Sequence, residues 1–66
     1  MKYIISSGTS VVSEITRESG VTLGFSVSVD SDMALKFDTY GDAMKLCVTI
    51  NNLIGKPAYK VDFIAE

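Results

Sequence analysis

Sixty-six residues, a net charge of −2, one cysteine, no histidine and 47% hydrophobic side chains describe one domain, residues 1–66, close to the size at which folding buries only about 60% of the unfolded surface. Without histidine the commonest general base and metal ligand are missing. The eight acidic and six basic residues form no run, so there is neither a basic footprint for nucleic acid nor the acidity of a DNA mimic. No segment approaches the ~20 apolar residues that span a bilayer, and a lone cysteine has no intrachain disulfide partner, which points to a reducing cytoplasm.

The chain opens on Lys2 to Ser6, a β-branched and aromatic run. Ser6, Ser7, Gly8, Thr9 and Ser10 interrupt it too early for a signal peptide and instead have turn composition, folding it back onto Val11 to Thr16 as a hairpin. Arg17-Glu18-Ser19-Gly20 is the next turn. Val21, Leu23, Phe25, Val27 and Val29 then alternate with Thr22, Gly24, Ser26 and Ser28, predicting a strand with an apolar inner face and a hydroxyl-rich outer one. Gly24 inside that strand marks a bulge or a close backbone approach.

After Asp30-Ser31-Asp32, two readings of the next segment compete. Met33, Leu35 and Phe37 alternate with Ala34 and Lys36 as a short edge strand does, which is the reading adopted; the other is one helical turn capped by Ser31 or Asp32, leaving only Lys36 to Asp38 extended. Thr39 to Gly55 carries a complete helix signal. Thr39 and Asp42 have capping-box spacing, and Tyr40, Ala43, Leu46, Cys47, Ile50, Leu53 and Ile54 fall on one stripe. Gly55 and Pro57 stop the helix, giving bounds of about 40–54. Tyr59, Val61 and Phe63 alternate with Lys60 and Asp62 in a last strand. The element order ββββαβ predicts an α+β fold: a four- to five-stranded, mostly antiparallel sheet in the order 5-1-2-3-4, with the helix on one face.

Residues 34–43 set Ala34, Phe37, Tyr40 and Ala43 three apart across a strand-to-helix junction. This A-x-x-F-x-[ST]-[YF]-x-[DE]-A element, with the Tyr-Ile-Ile opening and the following hairpin, resembles small accessory proteins of phage and prophage genomes. Gly41 stands where such elements carry an acidic residue. The resemblance implies a non-enzymatic protein, encoded by a phage, that binds a host or phage macromolecule; anti-defence inhibitors, anti-CRISPR proteins among them, share this build. The element itself reads as packing, with Phe37 and Tyr40 wedging the helix start against the sheet.

No catalytic constellation is visible. Asp30, Asp32, Asp38 and Asp42 lack the Gly and bidentate Glu of a calcium loop, so they are assigned to turns and caps; neither a metal nor a cofactor is expected. Tyr3, Tyr40, Tyr59, Phe25, Phe37 and Phe63 could stack bases, but Phe25 and Phe63 lie on core phases, and Arg17 is the one arginine to accompany them. Cys47, on the apolar stripe, reads as a small buried hydrophobe, and most of the apolar content is assigned to the core. What remains for binding is the hydroxyl-rich face of Thr22, Ser26 and Ser28, continued by Ser6 and Ser13. Tyr40 and Tyr59 serve as aromatic anchors near element ends, and the sheet edges, where Lys36, Lys60 and Asp62 discourage pairing, are the second candidate. The expected function is that of a cytoplasmic, non-catalytic module binding a host or phage protein as a modulator or inhibitor. A nucleic-acid-binding protein and a small self-assembling subunit, such as a homodimer, are the alternatives.

Overall fold

The computed structural model describes residues 2–64; Met1, Ala65 and Glu66, which the single-domain reading includes, lie outside the described residues. The fold is α+β. Strands β1 (Lys2–Ser7), β2 (Ser10–Glu18) and β3 (Val21–Ser28) form two successive hairpins, helix α1 (Tyr40–Ile54) follows, and β4 (Lys60–Ile64) closes a four-stranded antiparallel sheet ordered β3-β2-β1-β4. As expected, the last strand lies antiparallel beside the first and the helix covers one face. Both hairpin loops have two residues. In the second, Ser19 and Gly20 both have positive φ (53° and 79°), the form whose twist matches the strands it joins.

The helix ends where its signals place it. The Thr39 hydroxyl accepts the Asp42 amide hydrogen at 3.2 Å, and Gly55 adopts the left-handed conformation (φ 74°), which lets the Lys56 amide reach back to the Asn51 carbonyl at 3.2 Å. Ala43 is buried, and Leu46, Cys47 and Ile50 cluster with Ile5 and Val12, with Ile15, Phe25, Leu35, Phe37, Tyr59 and Val61 around them. Tyr40, Leu53 and Ile54, on the same stripe, are exposed. Fifteen helical residues run ~22 Å, longer than the five residues of β4, ~17 Å.

The segment between β3 and α1 departs from the adopted reading. Residues Ser31–Met33 form one 3-10 turn, capped by the Asp30 carboxylate, which accepts the Asp32 amide hydrogen at 2.9 Å. The alternative reading, a helical turn, was therefore nearer, with the cap one residue earlier. The extended residues after it do not lie at an edge beside β3. β1 and β2 pair only next to their turn, at Ser6↔Val11 and Ser7↔Ser10, and then splay. Residues 35–37 fill the fork: the Phe37 and Tyr3 amides and carbonyls exchange two 2.9 Å bonds, and the Leu35 amide donates to the Val12 carbonyl at 2.9 Å. The fork is favoured because it satisfies backbone groups that the splay would leave unpaired. It also gives the sheet a second apolar cluster, Ile4, Val11 and Ala34 with Ile64. The face away from the helix is thus partly covered, and Ser6, expected on an open hydroxyl face, is buried.

β3 departs from strict alternation for a reason written in its pairing. Register shifts leave Ser13 of β2 and Leu23 of β3 without a cross-strand partner. Each such bulge reverses the faces of the residues beyond it. Cross-strand partners share a face, so Phe25 lies with Ile15 on the helix side, whereas Val21, paired with Glu18, lies on the opposite side and Thr22, paired with Arg17, lies on the helix side. The second shift falls beside Gly24, where a bulge was expected. Of the five apolar residues assigned to one inner face, only Phe25 packs into the core; Val21, Leu23, Val27 and Val29 are exposed. Phe63, also assigned to the core, is 60% exposed on the edge strand β4. The expectation that most apolar residues are core is corrected accordingly: they exceed what one helix can cover.

Candidate functional site

The five residues singled out in the sequence do not form one surface. Ser26 is exposed on the face away from the helix, and its carbonyl accepts the Ser13 hydroxyl at 3.4 Å. Ser28 is half-buried, its hydroxyl accepting the Asp30 amide hydrogen at 3.1 Å. Thr22 lies on the other face, beside the helix. Tyr40, at the first helical position, packs edge-to-face on Tyr3 (5.9 Å between centroids) and leaves half of its surface in solvent. Tyr59 is half-buried, edge-to-face against Phe25 at 5.4 Å, and its backbone is bonded on both sides by one side chain.

That side chain is Asn51, which composition and spacing did not single out. Its Nδ2 donates to the Tyr59 carbonyl at 3.0 Å and its Oδ1 accepts the Tyr59 amide hydrogen at 2.9 Å. It binds the strand entry as a neighbouring backbone would. Asparagine is a poor helix former, and its presence one turn before the helix stop was the available signal. The Cys47 thiol donates to the same carbonyl at 3.3 Å. Burial pushes the Cys47 thiol up from its ordinary pKa, against a smaller opposing effect of the Asn51 amide, so its nucleophilic form is suppressed. Cys47 in the folded chain should react with an aromatic disulfide reagent about a hundredfold or more slowly than in urea, as only opened molecules expose it. Reaction at the free-thiol rate would show that the helix does not seal it.

The acidic residues act where turns and caps need them. Asp30 caps the 3-10 turn, Asp42 lies in the first turn of α1, and Asp38 pairs with Lys2, whose hydrogen bond and charge hold the Asp38 carboxyl below its ordinary pKa. Among the described residues no three His, Cys, Asp or Glu side chains gather as a metal ion requires. Among them, too, no helix is long and apolar enough to cross a membrane.

Two surfaces stand out. The first is the outer edge of the β2–β3 hairpin. β3 is an edge strand of eight residues without one charged side chain, and Val21 and Leu23 are 59% and 55% exposed on it. The opposite edge, β4, carries Lys60 and Asp62, the charges that discourage pairing; Lys36, expected to guard an edge, lies in the fork segment instead. Between the hairpin and the helix lies a hollow of about 520 Å³, walled by Arg17, Gly20 and Thr22 on one side and Asp42, Lys45 and Thr49 on the other, with Phe37 and Leu46 at its floor. A second hollow of about 390 Å³ adjoins it through Arg17, Phe37 and Leu46. The second surface is aromatic: Tyr40 over Tyr3, with Phe63 paired across from Tyr3.

Comparison with protein-family models gave no match, and comparisons with curated proteins and with solved structures likewise gave none.

Proposed function

We propose that this chain is a non-catalytic protein-binding module that accepts an extended segment of another protein along the free edge of β3. The observation that carries the reading is the contrast between the two edges: β3 offers eight uncharged residues with exposed Val21 and Leu23, whereas β4 is guarded by charge. An unguarded edge of this kind is a template for strand addition, in which main-chain bonds supply affinity and alternate side chains supply choice of partner. That the partner is a host protein, and the chain a phage-encoded modulator or inhibitor working in the host cytoplasm, rests on the resemblance of residues 34–43. In keeping with that resemblance, Ala34 and Ala43 are buried and Phe37 joins the core, so the element acts through packing.

The test is capture from a host lysate with the wild-type chain and with Val21→Lys/Leu23→Lys, identified by mass spectrometry. Both positions are exposed, so the variant should keep its far-UV circular dichroism. The expected result is one protein bound by the wild type and lost by the variant. Equal capture by both, loss only on Tyr40→Ser/Phe63→Ser, or recovery of nucleic acid alone would refute the edge as the working surface.

A further inference from the structure

We infer that the segment received by β3 carries an acidic side chain, which seats in the hollow between Arg17 and Lys45. This rests on the edge reading above and adds to it the chemistry of the partner. Thr22 belongs both to the free edge and to the wall of the 520 Å³ hollow. A strand added beside β3 runs about 4.8 Å from it, and the residue opposite Thr22 that points to the helix side enters the mouth of this hollow, one strand beyond Thr22 and two beyond Arg17.

The charges there favour an anion. Arg17 on the hairpin and Lys45 on the helix face the hollow from opposite walls; Asp42 is its one acidic residue. Among the described residues Arg17, Lys45 and Asp42 make no ion pair, so the two cations are not neutralised by contact. Thr22 and Thr49 line the same walls; the Thr49 hydroxyl donates its hydrogen to the Lys45 carbonyl at 3.0 Å, so the donors to an anion are the two cations. An arginine on one wall and an ammonium on the other provide charge-assisted donors to both oxygens of a carboxylate. The floor of Phe37 and Leu46 excludes water from beneath it. A second copy of the chain fits this chemistry poorly, since β3 contains no acidic residue and self-pairing along it would bring none to the hollow.

A displayed library of random eight-residue peptides, selected on the wild-type chain and on Arg17→Glu/Lys45→Glu, tests this. The wild type should enrich Asp or Glu at one position among alternating Val, Ile and Thr. The reversed chain should lose that preference or exchange it for Lys or Arg. A synthetic peptide of the selected sequence should bind Arg17→Gln, a milder change kept in case the reversal does not fold, at least tenfold more weakly than wild type. Extended apolar peptides enriched without an acidic position, or an acidic preference that survives the reversal, overturn the inference while leaving the edge reading in place. So does enrichment of no peptide when lysate capture is still lost on Val21→Lys/Leu23→Lys. A concentration-dependent dimer in sedimentation that this same edge variant abolishes overturns it as well, because the edge is then filled by a second copy.

Discussion

Replacing Ile50 with alanine is expected to lower the unfolding free energy by about 2–5 kcal/mol, the usual cost of truncating a fully buried aliphatic side chain. Ile50 is 0% exposed and lies in the cluster with Ile5, Val12, Leu46 and Cys47, where helix and sheet meet. A chain of this length holds roughly 3–10 kcal/mol in all, so the truncation removes a large part of the total, and a substantial unfolded population should appear in buffer. In urea the midpoint followed by far-UV circular dichroism should fall by about 2 M or more, taking a slope near 1 kcal/mol per M. Val48→Ala on the same helix is the control. Val48 is half-exposed and alanine is the better helix former, so its unfolding free energy should stay within about 0.5 kcal/mol of wild type. If the two variants shift alike, Ile50 is not at the centre of the core.

The second large effect is expected at Asn51. Asn51→Ala removes both bonds to the Tyr59 backbone, leaving the half-buried Tyr59 amide unsatisfied and its carbonyl with only the weak Cys47 thiol donor. The expected loss is about 2–4 kcal/mol, offset by roughly half a kcal/mol of improved helix propensity. Asn51→Asp separates bonding from shape. It keeps an acceptor for the Tyr59 amide but turns a second acceptor toward the Tyr59 carbonyl, so it should destabilise at neutral pH about as much as alanine does. Because Cys47 bonds to the same carbonyl, both variants should also speed reaction of its thiol. A stable Asn51→Asp chain with a protected thiol would mean that the amide does not hold the strand entry in place.

These two positions show what could be read from the chain alone. Ile50 was legible, since a stripe at spacings of three and four, a Thr39 cap and a Gly55 stop specify the helix and its buried face through local chemistry. The hairpins and the placement of β4 beside β1 followed from turn residues and strand directions. Asn51 was not legible, because its partner is a backbone eight residues away and no periodicity reports a side-chain bond of that kind. The bulges misled the reading of β3: Val21 and Leu23 alternate perfectly with Phe25 in the sequence, yet one unpaired residue, Leu23, turns Thr22 and Val21 over. The same event brought Thr22 to the helix side and separated it from Ser26 and Ser28. Arg17 and Lys45 looked like ordinary surface charge until the hairpin and the helix set them across one hollow.

The splayed junction of β1 and β2 has a bearing on how the molecule assembles. Residues 35–37 close it from far along the chain, bonding to Tyr3 on one side and Val12 on the other. The second hairpin can zip from its own turn, but the first cannot be completed until this distant wedge arrives. Loop closure over that distance is slow compared with forming a local turn. Once seated, the wedge ties the amino-terminal strand, both apolar clusters and the approach to the helix into a single unit, so loosening it at any point should release all of them together.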